Sequence, residues 1–322
     1  MLDAVPSLRL KVREAVPEAD GVLGIVLVDP WGTELPPWEP GAHLEVRLPS
    51  GRIRHYSLSG DPGDRSGYRL GVLREPDGRG GSEELHTTPL VGRLLDVRGP
   101  VNRFPLVPAD GYLFIAGGIG ITPILPMVRA LAAASSPPWQ LLYGGRTLAS
   151  MAYREELTAL SALTGLAGGN VAFAPQDTHG LLNLDDALSG LPDTTAVYCC
   201  GPNGLIEAVE RRVPAATLHV ERFTAPTDPT APTPDAFEVE LHRTGRVLQV
   251  PADRSLLDVV REAVPSVPSS CEQGICGTCE TKVLAGTPDH HDTVLTPAER
   301  SSGTTMMICV GRSKSPRLTL DL

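Results

Sequence analysis

The hydrophobic and polar positions of the first hundred residues alternate with a period of two. Segments such as LRLKVREAV, VLGIVLVDP, HLEVRLP, RHYSLSG and YRLGVLRE are short and are separated by Gly, Pro and Asp. This alternation is typical of half-buried strands, and the close spacing of strands and turns favours an antiparallel barrel. No stretch with a helical period interrupts the pattern before Ser82. Residues 1–105 are therefore predicted to form a β-barrel domain.

The pattern changes in the middle of the chain, where strands alternate with helix-like segments. GYLFIAGG is an apolar run followed by a glycine-rich turn and a helix, and QLLYGGR is a second strand. MAYREELTALSAL is helical, and AVYCC leads through a turn into the helix PNGLIEAVERRV. Strands that alternate with helices form a parallel sheet covered on both faces. Residues 106–223 are therefore predicted to form a doubly wound α/β domain.

A proline-rich stretch separates the last part of the chain from the rest. TAPTDPTAPTPD, residues 224–235, has four prolines and no aliphatic residue larger than Ala, which predicts a semi-rigid linker. Beyond it, AFEVELHRTGRVLQVP reads as a hairpin turning at Thr244-Gly245. Ser255 and Asp258 then form a capping box for the helix LLDVVREAV. Residues 236–322 are predicted to form a small α+β domain.

Composition and charge exclude some classes of partner. The net charge is −10 and no basic run occurs, which disfavours nucleic acid as a partner. The N-terminal segment has no apolar signal core, and the longest apolar run, YLFIAGGIGITPILPMV, is too short and too broken by Gly and Pro to span a bilayer. We therefore expect a soluble, cytoplasmic protein that has no membrane partner. A monomer is a separate expectation.

Four of the six cysteines have the spacing of a metal site. Cys271, Cys276 and Cys279 form C-x4-C-x2-C, and Cys309 follows after 29 intervening residues. This is the plant-type spacing for a 2Fe–2S cluster, and glycines in the loop permit the tight turns that such a site needs. A structural zinc site is one alternative, although zinc prefers C-x2-C pairs. Disulfides are another, which a reducing compartment disfavours.

A candidate anion site lies within the predicted barrel. In RHYSL, Arg54 offers a cation, Tyr56 a ring and Ser57 a small hydroxyl group, all of which suit a flavin nucleotide. In VLREPDGRGGSEEL, glycines lie where a strand gives way to a short helix, and a helix N-terminus suits a phosphate. This second segment contributes Arg74, Arg79, Gly80, Gly81 and Ser82. An ordinary strand and a solvated glycine loop are the alternatives on these residues alone.

A second candidate ligand site lies in the predicted parallel sheet. AGGIGITP follows a strand and opens a helix, but Pro123 stands where the generic dinucleotide fingerprint has its third glycine. The turn glycines Gly117, Gly118 and Gly120 still allow a ligand to approach the backbone. In YCCGPNGL, neighbouring strand residues point to opposite faces, so Cys199 and Cys200 do not face the same site. The alternative is that both are inert core thiols.

Over essentially the whole chain, these motifs resemble the phthalate dioxygenase reductase family. SCEQGICGTC, DHHD and ICVGRSKS are similar to its ferredoxin domain, RHYSL to its flavin barrel, and GGIGITP and CGP to its nicotinamide domain. The resemblance implies a multidomain protein with an antiparallel flavin barrel, a doubly wound nicotinamide domain and a β-grasp 2Fe–2S ferredoxin domain. It also implies FMN, a 2Fe–2S cluster and NADH.

The resemblance further implies roles for individual residues. Thr122 and Cys200 are expected at the reacting nicotinamide, and Phe223 of ERF against the flavin ring. The implied FMN residues are Arg54, Tyr56, Ser57, Val72, Arg74, Gly80, Gly81, Ser82, Thr122 and Phe223. The implied nicotinamide residues are Gly117, Gly118, Gly120, Arg146, Cys200, Gly201 and Pro202. The implied cluster ligands are Cys271, Cys276, Cys279 and Cys309.

The choice of coenzyme depends on the segment that follows QLLYGGR. Arg146 is followed by Thr147 and Leu148, where relatives often carry an acidic residue that suits a free ribose diol. Arg146 is therefore expected either to stack on adenine or to contact a 2′-phosphate. NADH is favoured and NADPH is the alternative.

The expected function is electron transfer from NADH through FMN and the 2Fe–2S cluster to a separate one-electron acceptor protein. By resemblance the acceptor is an oxygenase of the aromatic-ring, O-demethylating or haem type. A flavin reductase that acts on small diffusible acceptors is one alternative, and a redox-sensing module is another.

Overall fold

The computed structural model describes residues 5–76, 78–134, 137–164, 169–224 and 235–322. The predicted linker, 224–235, lies outside the described residues except for its two end positions. The chain divides into two compact units, Met1–Glu221 and Arg222–Leu322. The first unit contains both the barrel and the parallel sheet, and the second contains the C-terminal α+β fold.

Residues 7–102 form a curled, six-stranded antiparallel sheet with one short helix, as the alternating pattern predicts. The strands pair in the order β4-β3-β6-β1-β2-β5, and a bridge between Leu58 and Leu70 joins the two ends of the sheet. Alternate residues, such as Leu44 and Val46, fill the interior. The elements are β1 (Ser7–Ala19), β2 (Val22–Val28), β3 (Ala42–Arg47), β4 (Ile53–Ser57), β5 (Tyr68–Leu73), α1 (Gly81–Thr87) and β6 (Leu94–Asn102).

The second half of the first unit is a five-stranded parallel sheet with the order β11-β10-β7-β8-β9. The elements are β7 (Gly111–Gly117), a 3₁₀ turn (Gly118–Gly120), α2 (Ile121–Ala134), β8 (Trp139–Gly145), α3 (Arg154–Thr164), β9 (Gly169–Pro175), α4 (Gln176–His179), α5 (Leu184–Leu188), β10 (Thr195–Cys200), α6 (Asn203–Glu210) and β11 (Leu218–Glu221). Two strands, β9 and β11, are absent from the sequence-based prediction. Helix α3 begins at Arg154, not at Met151, because Tyr153 has a φ of 62°, which no α-helical residue adopts.

The second unit has a mixed five-stranded sheet with the order β13-β12-β18-β14-β16, in which β12 and β18 are parallel. The elements are β12 (Phe237–Leu241), β13 (Arg246–Val250), α7 (Leu256–Ala263), β14 (Glu280–Ala285), β15 (Pro288–Asp289), α8 (Pro297–Ser302), β16 (Thr305–Met307), β17 (Arg312–Ser313) and β18 (Arg317–Leu320). Ser255 caps α7 as predicted, since its hydroxyl accepts the Asp258 amide at 3.0 Å. None of the helices in the described parts of the chain has the length and apolar character needed to cross a bilayer.

Candidate functional site

The cysteine-rich loop of the second unit is built to bring sulfur atoms and backbone amides together. Gly274 and Gly277 have φ values of 70° and 75°. Glu272, which follows α7 and precedes both glycines in the sequence, also has a positive φ of 55°. The Gln273 amide donates to the sulfur of Cys271 at 3.3 Å, and the Gly274 amide donates to Cys309. A side chain at Gly274 would meet Asp292 and Val310. The loop therefore wraps around its own thiols, as the spacing predicts.

All four thiols are buried, and they form two pairs. Cys271 is hydrogen-bonded to Cys276, and Cys279 is hydrogen-bonded to Cys309. Within the first pair, the hydrogen bond from Cys271 lowers the pKa of Cys276 below its ordinary value. The described residues contain no set of three or more ligating side chains around one ion position. Two pairs of thiols suit two irons, whereas a zinc ion would need four ligands around one point.

Arg54 and the glycine-rich turn meet in the structure, although 26 positions separate Arg54 from Gly80 in the sequence. Arg54 lies on β4, and its guanidinium donates to the carbonyl of Arg79 at 3.0 Å. It lies across Gly81, where a Cβ would be 2.5 Å from Arg54 Nε. Gly80 precedes α1 with a φ of 75°. A guanidinium over a turn that has no side chain is a cradle for a phosphate, so these residues fit FMN.

The other predicted flavin residues differ in what they offer. Tyr56 is half-buried against the barrel core, and burial raises its pKa above the ordinary value, so it stays a neutral phenol. The side chain of Val72 lies in the barrel core, which leaves only its backbone for a ligand. Arg74 is held by Glu83 in a two-point ion pair, at 2.8 and 2.6 Å. The Ser82 hydroxyl accepts the Glu75 amide at 3.0 Å. Their contacts with FMN stay predictions, as does that of the half-buried Phe223.

The carboxyl ends of the parallel strands bring the predicted nicotinamide residues to one edge of the sheet. The turn after β7 and the turn after β10 touch, since a Cβ on Gly201 would lie 3.0 Å from the Cα of Gly117. A Cβ on Gly120 would lie 2.2 Å from the Cys200 carbonyl oxygen. Gly118, with a φ of 55°, has no described atom within 4 Å of its Cβ position. The backbone at Gly118 is therefore accessible to a ligand.

The two adjacent cysteines of β10 face opposite sides, as predicted. Cys199 packs in the core with Leu113 and Ile115. Cys200 is equally buried but lies outside that core cluster, beside Glu221 on the neighbouring strand. Burial, with a smaller contribution from Glu221, raises the pKa of Cys200 well above its ordinary value. Cys200 therefore provides a neutral thiol.

Glu221 is a functional candidate that the sequence reasoning missed. It ends β11, and its side chain is hydrogen-bonded to Ser57 of the flavin barrel. The residue as a whole is half-buried, but its Oε2 atom is shielded from solvent and has no hydrogen-bond partner among the described residues. Its place in the motif ERF, at a strand end two residues before Phe223, is the one sequence signal that pointed to it. Glu221, Ser57 and Cys200 form a polar group where barrel and parallel sheet meet.

Glu221 is expected to make stability fall as pH rises. Burial raises its pKa from the ordinary 4.5 to about 8. Between these two values the folded protein keeps a proton that the unfolded chain releases, so the free energy of unfolding decreases with pH and levels off above the higher value. Thermal unfolding of the wild type and Glu221→Gln should diverge across this window, with the wild type losing stability relative to the variant. Parallel curves would show that Glu221 is ionised in the folded protein.

Arg146 lies exposed at the carboxyl end of β8, where the adenosine half of a coenzyme is expected. Its carbonyl accepts the amide of Asp177, at the start of α4, at 3.1 Å. The backbone of Asp177, an acidic residue of the next strand connection, therefore lies beside Arg146.

Comparison with known proteins identifies two of the domains and the family of the chain. The model of the oxidoreductase NAD-binding domain matches residues 114–211, and that of the 2Fe-2S iron-sulfur cluster binding domain matches residues 239–314. Phenoxybenzoate dioxygenase subunit beta of Ectopseudomonas oleovorans is 42% identical over 319 residues, covering 97% of each chain. Phthalate dioxygenase reductase of Burkholderia cepacia is 38% identical over 319 residues, covering 98% of this chain and 97% of its own.

Solved structures give the same result. A phthalate dioxygenase reductase described as a modular structure for electron transfer from pyridine nucleotides to a 2Fe–2S cluster is similar with a TM-score of 0.77 and 37% identity, over 98% of both chains. An intact type IV self-sufficient cytochrome P450 monooxygenase is similar with a TM-score of 0.77 and 39% identity, over 98% of this chain and 41% of that one. The chain therefore belongs to the phthalate dioxygenase reductase family of oxidoreductases, which take electrons from NADH and carry FMN and a 2Fe–2S cluster.

Proposed function

We propose that this chain is the reductase component of a two-component oxygenase system, passing electrons from NADH through FMN and its cluster to an aromatic-ring or O-demethylating oxygenase. The observation that carries the proposal is the set of paired, buried thiols in the second compact unit. The same chain also has a parallel sheet whose carboxyl edge brings together the predicted nicotinamide residues. FMN bound at Arg54 and Gly81 would supply hydride acceptance and release of single electrons, and a cluster held by the four thiols would supply one-electron transfer. The chain's own residues hold these groups and supply neutral, water-excluding surroundings at Cys200 and Glu221.

Several relatives support this type of partner. A phthalate 4,5-dioxygenase reductase subunit of Pseudomonas putida is 39% identical, and a vanillate O-demethylase oxidoreductase of a Pseudomonas strain is 40% identical. The cytochrome P450 fusion supports a haem monooxygenase as the second candidate. A cytoplasmic location is also proposed, because the relatives belong to a family of soluble reductases. We also propose a monomer in solution, which light scattering will test.

Reconstitution tests the proposed function. The purified protein is mixed with NADH and candidate oxygenases encoded near its gene, and product formation is measured with the reductase present and absent. We expect turnover with one ring-hydroxylating or O-demethylating oxygenase. Equal NADH oxidation with and without any protein acceptor would favour a reductase for diffusible acceptors. Absence of NADH turnover would favour a redox-sensing module.

Arg146→Ala is expected to change coenzyme use in a way that identifies the role of Arg146. If the guanidinium stacks on adenine, the Michaelis constants for NADH and NADPH rise together, by about tenfold or less. If the guanidinium contacts a 2′-phosphate, only the Michaelis constant for NADPH rises. With Asp177 beside it, we expect the first result. Steady-state kinetics with both coenzymes measures this, and unchanged constants for both would remove Arg146 from the site.

A further inference from the structure

Tyr153 has a backbone conformation that a bulky side chain rarely adopts. Its φ is 62°, in the left-handed region that favours glycine. The residue stands directly before α3, and its carbonyl accepts the Leu157 amide at 3.0 Å. A strained residue of this kind persists only where the surrounding contacts impose it, and such residues concentrate at functional sites.

The contacts that hold Tyr153 come from the flavin barrel. Its side chain is 3% exposed and lies against the outer face of β5. The guanidinium of Arg69 lies over the ring, 4.5 Å from its centre, and the hydroxyl is 3.3 Å from Ser59 Oγ. A Cβ on Gly71 would lie 2.5 Å from the Tyr153 oxygen. The tyrosine therefore fills the space that the missing side chain of Gly71 leaves.

Thr122, the residue expected near the reacting nicotinamide, also packs against Gly71. A Cβ on Gly71 would lie 2.9 Å from Thr122 Cγ2. The Thr122 hydroxyl donates to the Ile119 carbonyl at 2.9 Å, and the methyl group faces the barrel. Gly71 directly precedes Val72, which the family resemblance places at the flavin. The start of α2 and the flavin strand β5 thus meet at a single glycine, and Tyr153 lies beside that contact.

Four charged side chains form a network of ion pairs beside this contact. Arg69 forms ion pairs with Glu18 at 3.1 Å and with Glu156 of α3 at 2.7 Å. Arg129 of α2 also pairs with Glu156 and donates to the carbonyl of Gly60, which follows β4. Two arginines and two glutamates balance in charge, and all four are partly shielded from solvent. The network therefore ties both α2 and α3 to the barrel and restrains sliding between them.

We propose that Tyr153 is a positioning residue that sets the separation between the nicotinamide-binding edge of the parallel sheet and the flavin strand β5. It acts through Gly71 and Thr122 and does not touch the reacting groups. A displacement of about 1 Å between reacting groups costs on the order of a hundredfold in rate. The proposal concerns hydride transfer within this chain and does not depend on which oxygenase is the partner.

Three variants test the proposal in the full-length protein. Gly71→Ala places a methyl group against Tyr153 and Thr122 and is expected to lower the limiting rate of flavin reduction by NADH by tenfold or more, with the NADH dissociation constant within about threefold of the wild type. Tyr153→Phe removes the hydroxyl and its Ser59 contact, and a several-fold loss is expected. Gly71→Ala/Tyr153→Phe removes the oxygen that meets the new methyl group but keeps the contact with Thr122, so its rate should recover part of the way towards that of Tyr153→Phe.

Gly67→Ala is the matched control. A Cβ at Gly67 would lie 3.1 Å from the Leu27 carbonyl oxygen, within the barrel domain, and would meet no residue of the parallel sheet. Its hydride-transfer rate should stay near the wild type. A readout without turnover is titration with a tetrahydronicotinamide analogue, which perturbs flavin absorbance when the rings stack. The perturbation of flavin absorbance should weaken in Gly71→Ala and return in part in the double variant. The proposal is overturned if Gly71→Ala and Tyr153→Phe both reduce flavin at the wild-type rate, if Gly67→Ala loses as much as Gly71→Ala, or if the double variant recovers neither rate nor absorbance.

Discussion

Replacing Cys309 by serine is expected to abolish electron transfer to a one-electron protein acceptor and to leave the flavin reactions intact. Cys309 is buried and hydrogen-bonded to Cys279, and a serine oxygen is a poor substitute for a soft thiolate. Loss of even an outer contact costs 10- to 100-fold in metal affinity, so loss of a ligand should reduce cytochrome c reduction by at least about a hundredfold. The visible absorbance of the cluster should fall in parallel.

Ferricyanide provides the internal control for the Cys309→Ser variant. This small oxidant takes electrons directly from the flavin, so NADH oxidation with ferricyanide should remain near the wild-type rate. Arg54 and Gly81 of the predicted phosphate site, and the turns after β7 and β10 at the predicted nicotinamide site, belong to the other compact unit. A variant that still reduces cytochrome c at full speed would show that electrons bypass the cluster, and the proposed route would be wrong.

Cys200→Ala is expected to slow flavin reduction by NADH without changing the flavin or cluster spectra. The neutral Cys200 thiol stands at the carboxyl end of β10, with Glu221 on one side and the glycine turn after β7 on the other. Removing the Cys200 sulfur leaves space in which the nicotinamide ring can shift. A shift of about an ångström lowers the rate of hydride transfer on the order of a hundredfold. Stopped-flow absorbance under anaerobic conditions measures the rate constant.

Cys199→Ala is the matched control, because it removes the same atom from the next residue of the same strand. Cys199 lies in the core cluster with Leu113, so its loss should lower the free energy of unfolding by about 1 kcal/mol and leave hydride transfer near the wild-type rate. If Cys199→Ala slows flavin reduction and Cys200→Ala does not, the two faces of β10 have been assigned the wrong way round.

Much of the fold is predictable because its signals are local. Period-two alternation identified β1 to β5, and Ser255 as N-cap placed the start of α7, since both depend on residues within one turn or one strand. The cysteine spacing predicted a cluster loop for the same reason. Strand β11 was missed because its four residues, LHVE, are all half-buried and carry no alternation. Its position at the sheet edge beside β10 comes from pairing across the chain.

The polar group at the domain junction was not predictable in the same way. Ser57 and Glu221 are 164 positions apart, and nothing in their local motifs, RHYSL and ERF, shows that the two side chains meet. Asp177 reaches Arg146 through a backbone hydrogen bond between two strand connections, and this proximity was equally hidden in the sequence. These residues come together only because parallel strands end at a common edge.

The sequence by itself determined the order of barrel, parallel sheet and cluster domain, the spacing of the four cysteines, and the glycines at the two ligand turns. These properties are carried by short-range periodicity and by backbone freedom, which a segment has before it folds. Only the tertiary structure decided that the thiols pair two by two, that Arg54 lies over Gly81, and that Tyr153 takes a left-handed conformation against Gly71. Each of these depends on contacts between segments far apart in the chain, and the free energy of such contacts is realised only when the elements are packed together.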